Sequence, residues 1–140
     1  MKATQSTIPT GAYVAGYDAD KTPLNVCRYK VKEGLVAGKA DKNVGCVVTS
    51  EGKEFYVKEG QEFEVLVAQN VEWVPRHGED PIPVGALVVG NKGQPNTDTY
   101  IGRCDTHSAE MVGKIDYKFY YGWQGSQKDD CLNHQILVCN

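Results

Sequence analysis

One stretch of this chain occurs twice. "IPTGAYVAG", from Ile8 to Gly16, lies over "IPVGALVVG", from Ile82 to Gly90, at an offset of 74, with Ile, Pro, both Gly, Ala and Val coinciding. After one inserted residue the offset is 75, and Arg28, Gly38 and Lys39 fall on Arg103, Gly113 and Lys114. Near the end of each copy "EFEVLV" (Glu62 to Val67) lies over "NHQILV" (Asn133 to Val138) at an offset of 71. The drift places small insertions and deletions in loops, where a fold tolerates them. A tandem repeat constrains the architecture more than any other feature. The copies span residues 1–70 and 71–140, and each is too short to bury a sizeable core by itself. The expectation is two repeats packed with approximate two-fold symmetry into one compact domain.

The local pattern is that of strands. Segments rich in Val, Ile, Tyr and Phe ("LNVCRYKV", "GCVVT", "EFYV", "FEVLVA", "ALVV", "TYIG", "DYKFYY", "QILV") alternate with turn clusters such as "EGK", "NKGQPN" and "WQGSQ". In "EFEVLV" the alternation sets Phe63, Val65 and Val67 on one face and Glu62 and Glu64 on the other. In "DYKFYYGW" it sets Tyr117, Phe119 and Tyr121 together, opposite Lys118, Tyr120 and Gly122. No window of helical length has an apolar period of 3.6, so the fold class is all-β with little or no helix.

Charge excludes one class of partner. Fifteen Lys and Arg against 18 Asp and Glu, both signs interspersed, leave a net charge of −3 and no basic face for nucleic acid. No segment has the apolar length of a membrane span, so membrane insertion is not expected, and "MKATQSTIPTG" lacks the apolar run of a secretory signal. The location expected is the cytoplasm, or the outside of the cell by leaderless release. Five cysteines (Cys27, Cys46, Cys104, Cys131, Cys139) are an odd number without metal-binding spacing, which predicts free thiols in a reducing compartment and no metal site.

The repeated residues divide by chemistry. The paired glycines and prolines suit turns and strand entries. Arg28 and Arg103, on strands, suit guanidinium forks that tie neighbouring strands, with ligand contact as the alternative. Lys39 and Lys114 each emerge after a Gly, as solvated surface or as a repeated hydrogen-bond donor. Catalysis has no visible machinery: His77, His107 and His134 stand without partner motifs, and no nucleophile elbow or phosphate-cradling loop is present.

The ordered set "GAYVAGYDADKTPLNVCR", "GLVAGK", "GKEF" and "QEFEVLV", followed by "EWV", "IPVGALVVG", "YIGR", "MVGK" and "HQILV", resembles the DM-nine repeat family. In particular it resembles the two-repeat mannose-binding lectins of bivalve molluscs, and the resemblance covers nearly the whole chain. It implies an all-β, pseudo-two-fold fold without cofactor, and a site for mannose or mannose-rich glycans at the Asp of "GYD" and the Lys of "GK", here Asp18 and Lys39. The lectin members imply recognition of microbes, and a homodimer would add avidity. The chemistry stands on its own terms: a carboxylate that accepts beside an ammonium that donates can grip two adjacent sugar hydroxyls. Asp20 rivals Asp18, and Glu54 of "GKEF" either lines the site or closes a turn. Trp123, with Tyr120, offers a face on which a pyranose could stack. The second copy departs from the pattern, with Lys92 where the acid should be, so a second site at Lys114 is an open expectation.

Overall fold

The computed structural model describes all residues from Met1 to Asn140. The short alternating segments form fourteen strands: β1 (Lys2–Ala3), β2 (Val14–Tyr17), β3 (Pro23–Val31), β4 (Gly34–Asp41), β5 (Gly45–Ser50), β6 (Lys53–Tyr56), β7 (Phe63–Val65), β8 (Val71–His77), β9 (Gly90–Asn91), β10 (Asp98–Thr106), β11 (Ala109–Asp116), β12 (Lys118–Trp123), β13 (Ser126–Lys128) and β14 (Asn133–Cys139). A single 3₁₀ turn, Gln5–Thr7, is the one helical element. The fold is all-β, as expected.

Strand order exposes the duplication. Hydrogen-bonded neighbours run β1-β7-β3-β4-β5-β6-β13-β12-β11-β10-β14-β8, with β2 on β3 and β9 bridging β10 and β4. Outward from the middle, the two arms list the same elements: β6 with β13, β5 with β12, β4 with β11, β3 with β10, β7 with β14. Register agrees residue by residue. Lys39 lies opposite Val47 and Lys114 opposite Tyr120, while Cys27 faces Gly38 as Gly102 faces Gly113. The arms join where Lys53 pairs with Ser126, and the Glu54 and Gln127 amides donate across the join to Gly125 O (3.1 Å) and Gly52 O (2.9 Å).

A central core draws on both copies: Ala15, Leu24, Val26 and Ala37 from the first meet Val89, Ile101, Val112 and Leu137 from the second. One further cluster lies within each copy. The repeated arginines fasten this arrangement. Arg28 donates to Glu64 within its copy and from Nη1 to Val89 O of the other (3.2 Å), and Arg103 donates to Gln135 and from Nη1 to Ala15 O (3.2 Å). Each guanidinium fork thus satisfies a carbonyl of the opposite copy, which a shorter or single-pronged cation could not do while also holding its own strand.

The structure corrects the sequence reading at four places. Cys27–Cys46 and Cys104–Cys131 are disulfides, and only Cys139 is free. Parity concealed this because the fifth cysteine is the odd one out. Spacing concealed it because the Cys27–Cys46 contact, with Cα atoms 6.0 Å apart, arises from the curl of β5 over β4 at Gly38. "ALVV" is not a strand: Leu87 and Val89 donate singly to Leu137 O and Thr99 O, crossing between β14 and β10 instead of laddering with either. Tyr117 does not share a face with Phe119 and Tyr121, because it forms the turn before β12 with φ +64 and is exposed. Phe63 and Val65 are buried as expected, but β7 ends at Val65 and Val67 is half exposed.

Candidate functional site

The two Gly-Lys pairs lie at the junction of the copies. A Cβ on Gly38 would sit 2.1 Å from Val47 O, and one on Gly113 2.0 Å from Tyr120 O. Bare backbone at these points lets the next strand close over, and the following lysine then reaches across to the other copy. Lys39 Nζ contacts Gly122 O (3.3 Å) and Met111 Sδ (3.1 Å); Lys114 Nζ donates to Thr49 O (2.7 Å). Thr49 and Gly122 occupy equivalent places, so the two cations make the same crossing.

Their surroundings differ. Lys39 is partly exposed, and burial pushes its ammonium below the ordinary lysine range while the charges of Glu54, Asp18 and Asp41 oppose that shift. Glu54 packs its carboxylate over Gly122, where a Cβ would meet Glu54 Oε2 at 2.4 Å, so the acid rests on the residue whose carbonyl receives Lys39. The Gly125 amide donates to Glu54 Oε1, which fixes the carboxylate. Lys114, by contrast, has a side chain only 5% exposed and is closed off by Glu33 Oε1 at 3.2 Å, with the Tyr120 ring 5.7 Å from its ammonium. Of the acids around Lys39, Asp18 is replaced by Lys92 and Glu54 by Gln127.

Asp18, in the turn between β2 and β3, accepts from the Ala19 amide and is half-buried. It lines an open depression with Tyr17, Lys21, Asp105 and Glu110. Asp20 is exposed and accepts from the Thr22 amide (2.9 Å); the Thr22 hydroxyl and then that amide hold its pKa below the usual carboxylate value, so it is a turn residue. Trp123 stacks face to face on His107 at 3.9 Å, and one face of its indole is therefore occupied. The structure brings Lys39 and Glu54 together at Gly122, while Asp18 lines a separate depression that Lys39 does not line; Lys114 lies in a closed setting and Trp123 in a separate stack. Sequence reasoning missed Met111, Glu33 and Thr49, since nothing local marks a residue that meets a lysine of the other copy.

A second concavity, about 460 Å³, opens in the second copy between the turn after β8 and the β11–β12 turn. Arg76, 7% exposed, frames it by donating to Asp80 O (2.9 and 2.6 Å), Gly78 O (3.1 Å) and Tyr117 O (2.6 Å). Behind it the His134 ring takes one tautomer: Nδ1–H donates to Leu132 O (3.0 Å), leaving Nε2 to accept from Arg76 Nη1 (3.0 Å). Burial, then the Arg76 charge, holds the His134 pKa below its usual value. Because the folded pKa is depressed, the unfolded chain binds the extra proton first. Stability is expected to be full above about pH 6.5 and to decline as pH falls from there toward the folded pKa. Thermal melts from pH 7.5 to 5 check this, and His134→Phe, which cannot titrate, should flatten the profile over that window.

Comparison with known proteins matches residues 40–127 to the DM9 repeat family. No curated protein matches the sequence. Among solved structures, the nematode sperm cell motility protein MFP2B superposes with a TM-score of 0.63 at 12% identity, over 100% of this chain and 45% of that one. The likeness shows a shared fold, and the present chain spans less than half of that relative's length.

Proposed function

Starting from the fact that the chain belongs to the DM9 repeat family, we propose that it is a non-catalytic carbohydrate-binding protein whose ligand is mannose or a mannose-rich glycan. One observation carries the reading: at the junction of the copies the Lys39 ammonium donates to Gly122 O (3.3 Å) and the Glu54 carboxylate rests on that same residue, with the Glu54 and Asp18 charges opposing the effect of burial on the ammonium. A donor and an acceptor of opposite charge in one partly exposed place suit vicinal hydroxyls, each of which must give one hydrogen bond and take another. Asp18 and Lys39 are the principal ligands in this reading, with Glu54 positioning the ammonium. Lys114, paired with Glu33, is not an equivalent second site. Its task is recognition of microbial surface glycans, with avidity from a homodimer. The two disulfides favour an oxidising setting, which fits action after release from the cell.

Calorimetric titration with mannose, with galactose as control, tests the proposal. Wild type should bind mannose saturably, and Asp18→Ala and Lys39→Ala should each weaken binding at least about tenfold, the loss of one charge-assisted bond, with melting transitions intact. Absence of binding by well-folded wild type would leave the fold serving a protein partner instead.

A further inference from the structure

We propose that the concavity of the second copy is itself a saccharide site, gripping vicinal hydroxyls with the Lys92–Asp116 pair and stacking a pyranose ring on Tyr117. The inference rests on the carbohydrate-binding reading of the first copy but uses other residues.

What opens the cleft is a difference between the copies. In the first, Asp41, the counterpart of Asp116, is buried and spends Oδ1 on the amides of Asn43 (2.7 Å) and Val44 (2.9 Å) in a longer turn. Gln5, from the 3₁₀ turn, then covers that turn by donating to Asn43 O at 2.8 Å. In the second copy the turn shrinks by two residues to Tyr117, so the amides that would occupy Asp116 do not exist. Asp116 instead places Oδ2 2.6 Å from Lys92 Nζ. Lys92 stands where the first copy has Asp18. The second copy thus also joins one carboxylate to one ammonium, with the roles of the two positions exchanged.

The surroundings are those of a built cleft. Tyr117 is 73% exposed and held at φ +64, a conformation costly for a bulky side chain, and it lines the concavity with Tyr100. Arg76 fastens the Tyr117 carbonyl to the Gly78–Asp80 turn on the opposite wall, so both sides are positioned before any ligand arrives. Asn96 and Asp98 supply further polar groups at the rim. An aromatic face beside a rigid donor–acceptor pair has the chemistry a hexopyranose requires: an apolar C–H surface on one side and a fringe of hydroxyls on the other.

Amide NMR titration with methyl α-mannoside and with a linear α-mannotrioside, on wild type, Lys39→Ala, Lys92→Ala and Tyr117→Gly, tests this. Glycine adopts the required backbone freely, so Tyr117→Gly should fold at least as well as wild type. Saturable shifts at Lys92, Asp116 and Tyr117 that persist in Lys39→Ala, and weaken at least about tenfold in Lys92→Ala and Tyr117→Gly, are the result expected. Shifts confined to the neighbourhood of Lys39 and Asp18 would overturn this inference and leave the first site standing. Shifts nowhere in the wild type would overturn both.

Discussion

Gly113→Val yields no cooperatively folded protein, and Gly38→Val fares the same. At either position the first atom of a side chain would fall about one bond length too close to a backbone carbonyl: 2.0 Å from Tyr120 O or 2.1 Å from Val47 O. No rotamer relieves that contact, because the obstruction is main chain and the intruding atom is Cβ. The adjoining strand would have to lift away, and with it the cross-copy bonds of the neighbouring lysine. Overpacking that shifts backbone typically costs about 1–3 kcal/mol; lifting a whole strand and breaking the cross-copy bonds of the lysine with it puts this substitution in the exceptional range above about 4 kcal/mol, a large part of the roughly 5–15 kcal/mol that holds an ordinary domain together. Gly11→Ala is the matched control, since nothing lies within 4 Å of its added carbon. Near-UV circular dichroism and thermal melts should show a wild-type transition for Gly11→Ala and none for Gly113→Val.

The second large effect is that of reduction. The disulfides close loops of 19 and 27 residues, and loop-closure entropy assigns each about 3 to 3.5 kcal/mol through the unfolded chain. Losing both should lower the melting temperature by about 15 to 25 °C at the sensitivity of a domain of this size. Thiol reagent or the quadruple Cys→Ser variant would show it, and an unchanged melt would mean that the bridges do not form in solution. The copies reach the same end differently at one of these points. The place of Cys27 and Cys46 is taken in the second copy by Gly102 and Phe119, and a Cβ on Gly102 would touch the Phe119 ring at 2.6 Å. A covalent bridge in one half is matched by a ring over a bare backbone in the other.

These two predictions also mark how far the sequence could be read. Duplication, strand content and the Gly-Lys pairs were legible, because each leaves a periodic or repeated trace. The meaning of Gly-Lys was not, since a glycine before a lysine says nothing about which carbonyl will close over it; only the packed copies supply Val47 O and Tyr120 O. Cys27 and Cys46 could not be paired from their spacing, and Tyr117 followed the alternation of β12 while lying in the turn ahead of it. At the site, Asp18 and Lys39 were found through resemblance. Glu54 gained its place from Gly122, which is 68 residues away and in the other copy. The cleft beside Tyr117 left one trace only, Lys92 standing where an acid belongs.

The mirrored strand order has a practical meaning. A residue on a paired strand of one arm has a twin that shares its temperature, solvent, expression level and preparation, because both belong to one molecule. Lys39 and Lys114 make the same crossing bond with and without carboxylates free to meet a ligand. A difference in their response to sugar within a single spectrum therefore compares an open ammonium with a closed one under identical conditions.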